Sequence, residues 1–183
     1  MFWSAAVLGL LIGWLRNGKL KQLTQISLPG WPLIIVAVFI QGAVWIDFSI
    51  SSNYLSKYYP YLYISSFIIL MLFVFLQKMQ AGMIMLGLGV LLNLLVITAN
   101  RGMMPVDSAR MPAVVAEELA AGNKSPFHTP ATDETWLGFL GDRIPIPFYK
   151  NQLFSAGDLV MGIGIIVFIQ QNMLKKKQKK QWR

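Results

Sequence analysis

Long apolar runs alternate along this chain with short polar breaks, and the charges in the breaks are sorted by sign. The runs cover about Phe2–Leu15, Trp31–Phe48, Tyr61–Leu76, Met83–Ala99 and Ser155–Met173. Lys and Arg gather after the first run (Arg16, Lys19, Lys21), after the third (Lys78) and after the last (Lys175, Lys176, Lys177, Lys179, Lys180, Arg183). The eight acidic residues, Asp47, Asp107, Glu117, Glu118, Asp133, Glu134, Asp142 and Asp158, all fall at or near the opposite ends. Cytoplasmic loops retain Lys and Arg during insertion, so the asymmetry predicts an orientation. The expected fold is an all-α integral membrane protein. It is a bundle of five transmembrane helices, N-terminus out and C-terminus in, with an extracytoplasmic cap between helices four and five.

Composition agrees. Of 183 residues, 55% are hydrophobic and 13% charged, the latter about half the ~25% usual in soluble domains. The net charge of +8 does not imply nucleic acid: six of sixteen basic residues sit in the last nine positions, after an apolar helix and with no aromatic platform. No cysteine is present, which excludes disulfides and thiolate chemistry. The first run has its charges after it, the reverse of a secretory signal peptide, so it reads as a retained helix.

The organisation expected is four spans over 1–100, a cap over 101–153, the fifth span over 154–174 and a basic cytoplasmic tail over 175–183. Within the cap, Pro112 to Gly122 reads as a short helix with Pro early and Gly last. Thr132 or Asp133 is placed to cap a second short helix through Trp136, Phe139 and Leu140, stopped by Gly141. Ile144-Pro145-Ile146-Pro147-Phe148 reads as extended, because proline disfavours helix for its predecessor. Its apolar content predicts a cap lying on the outer membrane surface or across the bundle mouth.

The densest local patterns are Asn100-Arg101-Gly102-Met103-Met104-Pro105-Val106, then Leu140-Gly141-Asp142-Arg143-Ile144-Pro145, then Ser155-Ala156-Gly157-Asp158 followed by Gly162. With the five-run layout, these motifs resemble an uncharacterised family of small bacterial multi-pass membrane proteins, a domain of unknown function. The resemblance implies a bacterial plasma-membrane location and an architecture, and no established activity.

Asn100, Arg101, Asp142, Arg143 and Asp158 all fall near the outer ends of spans four and five, and are expected to form one polar cluster. One use is a binding site for a head group, peptide or ion, since ionisable groups at membrane depth are costly and usually functional. The other is structural. Ser155-x-x-Asp158 is a capping box, and Arg101 with Asp142, or Arg143 with Asp158, would pin the cap to the bundle.

A hydrolase is a further alternative. Asp142-Arg143 and the later Ala156-Gly157-Asp158 are similar to motifs of bacterial lipoprotein signal peptidases, in which two aspartates activate water against a peptide bond. The Asn that precedes Ala-Asp in those enzymes is absent here. His128, the only histidine, has no second nitrogen ligand and is expected to fix its loop. The methionines read as membrane-core filler rather than a copper site, and no cofactor is expected.

Gly9-x-x-x-Gly13 permits close helix contact, with a partner or internally, as do Gly87, Gly89, Gly162 and Gly164. Gln41 and Asn93 read as amides hydrogen-bonded across helices, and Asp47 as interfacial. The expected function is a non-catalytic accessory or binding protein that engages a protein or lipid partner through its outer cap. The alternatives are the hydrolase using Asp142 and Asp158 and, third, a small transporter or channel. Expected partners are the lipid bilayer, a membrane protein or second copy, and anionic lipid at the basic tail.

Overall fold

A computed structural model describes residues 1–52, 54–149 and 151–174; the basic tail, with its expected anionic-lipid contact, lies outside the described residues. The chain is mostly helical. Five apolar helices form the bundle: α1 (Phe2–Leu15), α3 (Pro32–Ser49), α4 (Tyr59–Phe75), α5 (Ala81–Ala99) and α7 (Ala156–Met173). A single turn, α2 (Leu20–Leu23), links the first two, and α6 (Ala113–Ala120) belongs to the cap. Pro32 and Pro60 stand in the first turns of α3 and α4, where a missing N–H costs nothing.

The helices pack in a row, α1–α7–α5–α4–α3, so that the last in sequence lies second in space. The α5–α7 seam is built from glycine. A β-carbon on Gly82 would strike the backbone of Phe168, one on Gly89 the carbonyl oxygen of Gly157, and one on Gly164 the backbone of Leu86 and Gly82. Gly82 and Gly89 are seven residues apart, as are Gly157 and Gly164, so the two antiparallel helices meet glycine to glycine at both levels. On the other side of α7, Gly9 approaches Ile166 and Gly13 approaches Met173. The Gly9-x-x-x-Gly13 face is therefore spent inside the bundle.

Polar groups within the row find partners on the neighbouring helix. Gln41 donates to Ser66 Oγ at 2.8 Å between α3 and α4. Arg16 donates to Gln170 at 2.6 Å where α1 and α7 end. Asp47, at the end of α3, accepts from Ser52 Oγ, from Leu55 N–H at 3.0 Å and from Tyr59 Oη at 2.8 Å, which fixes the α3–α4 connection.

Away from these seams the bundle is apolar and bare. Trp3, Leu15, Phe39, Val38, Ile46, Tyr61 and Phe75 are each more than 60% exposed. Contiguous apolar surface on this scale marks a lipid or partner-facing surface. Four helices are long and apolar enough to cross a membrane: Pro32–Ser49, Ser56–Phe75, Ala81–Ala99 and Ala156–Met173. α1 is apolar but only 14 residues long, about 21 Å at ~1.5 Å per residue.

The cap follows α5. Strand β1 (Met104–Val106) runs parallel to β2 (His128–Pro130), and β3 (Ile144–Pro145) runs antiparallel to β4 (Leu153–Phe154). α6 spans the stretch expected of it. The second cap helix is not there. Leu137 takes a left-handed φ of 53° and only a 3-10 turn, Gly138–Leu140, forms before Gly141. The segment cannot coil from Thr132 because Trp136 spends its backbone N–H and carbonyl on Asn100. The stretch 144–148 is extended only at its start, turning back where Tyr149 N–H bonds the Ile146 carbonyl at 2.9 Å.

Candidate functional site

The motif Met104-Pro105-Val106 is the middle rung of the cap. Met104 N–H donates to the Phe127 carbonyl (2.8 Å), and Val106 accepts from Ala131 N–H (2.8 Å), which sets His128 along one side. On the other side Asp142 N–H donates to the Pro105 carbonyl, and Asp107 N–H to the Asp142 carbonyl, both at 2.9 Å. Gly141 is required here, since a β-carbon would lie 2.5 Å from the Pro105 oxygen. One short strand thus brings two residues fourteen apart in sequence to face each other.

His128 Nε2 lies 3.3 Å from Asp142 Oδ2, and His128 Nδ1 lies 2.6 Å from Ser125 Oγ. Ser125 Oγ also accepts from Phe127 N–H at 3.2 Å, which holds the hydroxyl beside the ring. The result is a chain of contacts from serine through histidine to aspartate. It holds only half of Asp142, whose side chain is buried and whose Oδ1 has no hydrogen-bond partner.

Phe127 fixes this chain to the bundle, stacking on Tyr63 of α4 with centroids 4.4 Å apart, and Tyr63 meets Phe67 edge-on. Met104 and Phe127 share one apolar core with Val44, Val90 and Ile97 of the helices. The cap is thus seated on the bundle rather than tethered to it.

The second aspartate arrives by a different route. Arg143 N–H donates to the Phe154 carbonyl at 3.3 Å, and β3 pairs with β4, so the residues after Asp142 lie beside those that open α7. There Ser155 and Asp158 form a complete capping box, Ser155 Oγ accepting from Asp158 N–H (2.9 Å) and Asp158 Oδ2 from Ser155 N–H (3.2 Å). Asn93 of α5 closes the network, donating to Asp158 Oδ1 (2.9 Å) while its own oxygen accepts from Ser155 Oγ (2.8 Å).

Between cap and bundle is a cavity of about 340 Å³. Asp142, Asp158, His128, Ser125 and Lys124 line it together with the amides of Asn151 and Gln152, and Trp45, Val106, Leu119, Leu153 and Phe154 form much of its apolar wall. Its size falls at the lower end of the ~300–1,000 Å³ typical of small-ligand sites.

The five residues expected to form one cluster are divided among three places. Asp142 and Asp158 face the same cavity. Asn100 works as a backbone surrogate, donating to the Trp136 carbonyl (2.7 Å) and accepting from Trp136 N–H (3.0 Å). Arg101, in the left-handed turn after α5, is exposed and lines, with that same Asn100 and with Asp133 and Glu134, an open groove separate from the cavity. Arg143 approaches Asp107 (3.7 Å), which also pairs with Arg110 (2.9 Å). Neither expected pin forms: Asp142 faces His128 rather than Arg101, and Arg143 faces Asp107 rather than Asp158. Each swap follows from the strand pairing, which turns the neighbours Asp142 and Arg143 to opposite sides.

Ser125, Lys124 and Trp45 were not expected at the cavity. Only Ser125-x-x-His128 carried a local signal, an i, i+3 hydroxyl–imidazole pair in a proline-bounded loop. No group of three or more His, Asp or Glu side chains among the described residues is arranged to hold a metal.

The profile of a family described as "Family of unknown function (DUF5317)" matches residues 25–170, most of the chain. The chain belongs to that family. An uncharacterised protein of Thermotoga maritima is 25% identical over 154 residues, covering 83% of this chain and 80% of the relative. No solved structure matches. The matched residues include α3 to α5, the whole cap and the first fifteen residues of α7, hence both halves of the cavity.

Proposed function

We propose that this chain is a five-span protein of the bacterial plasma membrane, with its N-terminus outside and C-terminus inside. We further propose that it serves as a non-catalytic binding or accessory component, engaging a lipid or protein partner through the outer cap. The orientation is supported by charge. The acidic residues gather at the cap end of the bundle, whereas Arg16, Lys19, Lys21 and Lys78 follow the ends of α1 and α4 at the other. α1 runs parallel to α7, packed along it, which favours a shared span despite its shortness.

One observation carries the binding reading: a cavity at the junction of cap and helices is lined by Asp142, one of whose buried oxygens lacks a hydrogen bond. A buried acceptor without a donor costs about 1–3 kcal/mol, a deficit that a donor-bearing ligand would remove. Extraction of the full chain in mild detergent, with mass spectrometry of what co-purifies, tests the reading. Gln152 lines the cavity and is exposed, so Gln152→Trp narrows it with little cost to the core. A species held by the wild type and released by Gln152→Trp is the expected result; identical retention by both proteins would remove the cavity as the binding site.

The hydrolase reading rests on Asp142 and Asp158 facing one cavity. Against it, both oxygens of Asp158 already accept hydrogen bonds within the capping network. Loss of stability in Asp158→Asn would favour the structural role, and a stable but inactive protein the catalytic one.

A further inference from the structure

The cavity described above does not present a single sign of charge. Asp142 and Asp158 bring two carboxylates to it, and Lys124 brings an ammonium from the loop that also carries Ser125 and His128. We infer that the cavity takes a zwitterion, its primary ammonium group held by Asp142 beside Asp158 and its anionic group by Lys124. This rests on the binding reading and names the ligand's chemistry.

Three observations converge. Asp142 is only 6% exposed, its Oδ2 is within reach of the imidazole and its Oδ1 has no partner, so what is missing is specifically a donor. An ammonium offers up to three N–H groups, whereas a quaternary ammonium offers none. Asp158 contributes mainly charge, since Asn93 and Ser155 already occupy its oxygens. A purely anionic ligand would meet two carboxylates, and a purely cationic one would leave Lys124 unopposed. A molecule with both charges satisfies all three side chains.

Position adds to chemistry. Trp45 of α3 and Asp158 in the first turn of α7 put the cavity at the level where apolar helix gives way to cap. The rest of the wall is largely apolar. An aminophospholipid head group carries the required pair of charges at that depth, and free phosphoethanolamine carries the same pair in water.

The test uses the full chain in detergent, offered an equimolar mixture of phosphatidylethanolamine, phosphatidylcholine and phosphatidylglycerol, with bound lipid counted by native mass spectrometry. The expected result is one phosphatidylethanolamine retained at about tenfold or more over phosphatidylcholine, the scale of one charge-assisted hydrogen bond. Asp142→Asn should remove that preference, and Lys124→Gln, which loses the partner of the shared phosphate, should lower retention of phosphatidylethanolamine itself. Lys124 is half-buried in the loop before Ser125 rather than in the core, so its variant keeps the test valid should Asp142→Asn fail to fold. In a second arm, phosphoethanolamine is titrated against phosphocholine. Binding of phosphoethanolamine alone, without lipid preference, assigns a soluble source to the same chemistry. Equal retention of the two choline and ethanolamine lipids, with no phosphoethanolamine binding, overturns the inference, as does undiminished retention of phosphatidylethanolamine in Lys124→Gln. Retention of phosphatidylglycerol that Gln152→Trp abolishes would overturn the zwitterion and leave the binding reading standing. If Gln152→Trp releases nothing, both fall.

Discussion

Gly157 and Asn93 are locked together across the α5–α7 seam: a β-carbon at 157 would overlap Asn93 Oδ1, the same oxygen that accepts from Ser155. The contact couples helix packing to the polar network that starts α7. Gly157→Ala should therefore both separate the helices and break the Asn93–Ser155 bond, at about 1–3 kcal/mol. Gly42→Ala is the control, because a β-carbon there meets nothing within 4 Å. In a helix that change should be neutral or stabilising by up to ~1 kcal/mol. Melting temperatures of the two variants in one detergent compare them directly, and equal values would show that the seam tolerates bulk.

The capping network allows a graded test. Ser155→Ala removes an N-cap acceptor and should cost about 1 kcal/mol, roughly 2–4 °C in melting temperature for a chain of this size. Asp158→Asn should cost at least as much. Asp158 accepts through both oxygens, from Asn93 and from Ser155, and an amide can accept through only one. A variant as stable as wild type would argue that the carboxylate is kept for another purpose.

His128 is the ion-pair partner of Asp142 among the described residues, at 3.3 Å. His128→Ala should destabilise by about 1–3 kcal/mol through the stranded carboxylate, and Ser125→Ala by less. Adding Asp142→Asn to His128→Ala should recover part of the loss. Chemical unfolding of the single and double variants measures the coupling, and strict additivity would mean that the two side chains do not communicate.

Because the chain has no cysteine, topology can be read by introducing one. Glu118 on α6 and Gln25 after α2 are both exposed, at opposite ends of the bundle. An impermeant maleimide applied to intact spheroplasts should label Glu118→Cys and spare Gln25→Cys. The reverse pattern would invert the proposed orientation.

The Asp107 pairs with Arg110 and Arg143 are solvated, with Arg110 half exposed. Asp107→Asn should change stability by under ~1 kcal/mol, less at high salt. A larger loss in denaturation at two salt concentrations would show that these charges hold the cap.

The helices were legible in the sequence because each is a continuous apolar run bounded by charge, proline or glycine. α1 matches the expected Phe2–Leu15, and the other four bundle helices differ from expectation by one or two residues at an end. The capping box was legible too, being a local pattern of four residues. The strands of the cap were not, since two or three residues carry no period. With them went the pairing of His128 with Asp142 and the divergence of Asp142 from Arg143, which depend on contacts between residues well separated in sequence. Trp136, Phe139 and Leu140 have helical spacing, but Asn100 claims the backbone of Trp136 and overrides it. Both aspartates of the cavity were singled out from their motifs, while Ser125 had only its spacing to His128 as a signal and Lys124 had none.

The spatial order of the row has a consequence for how the chain is made. α1 leaves the ribosome first, yet the helix whose surface fits Gly9 and Gly13 follows about 140 residues later. At ~5–20 residues per second, that is a wait on the order of ten seconds. During it α1 and α5 each present a glycine-lined face with no occupant. Assembly therefore completes in a single late event, when α7 slides between them and starts the cap's final pairing through Leu153 and Phe154. A chain truncated before residue 156 would keep α3, α4 and α5 packed in a row but leave α1 without the helix it packs against, so the last helix is the one that joins the first to the rest.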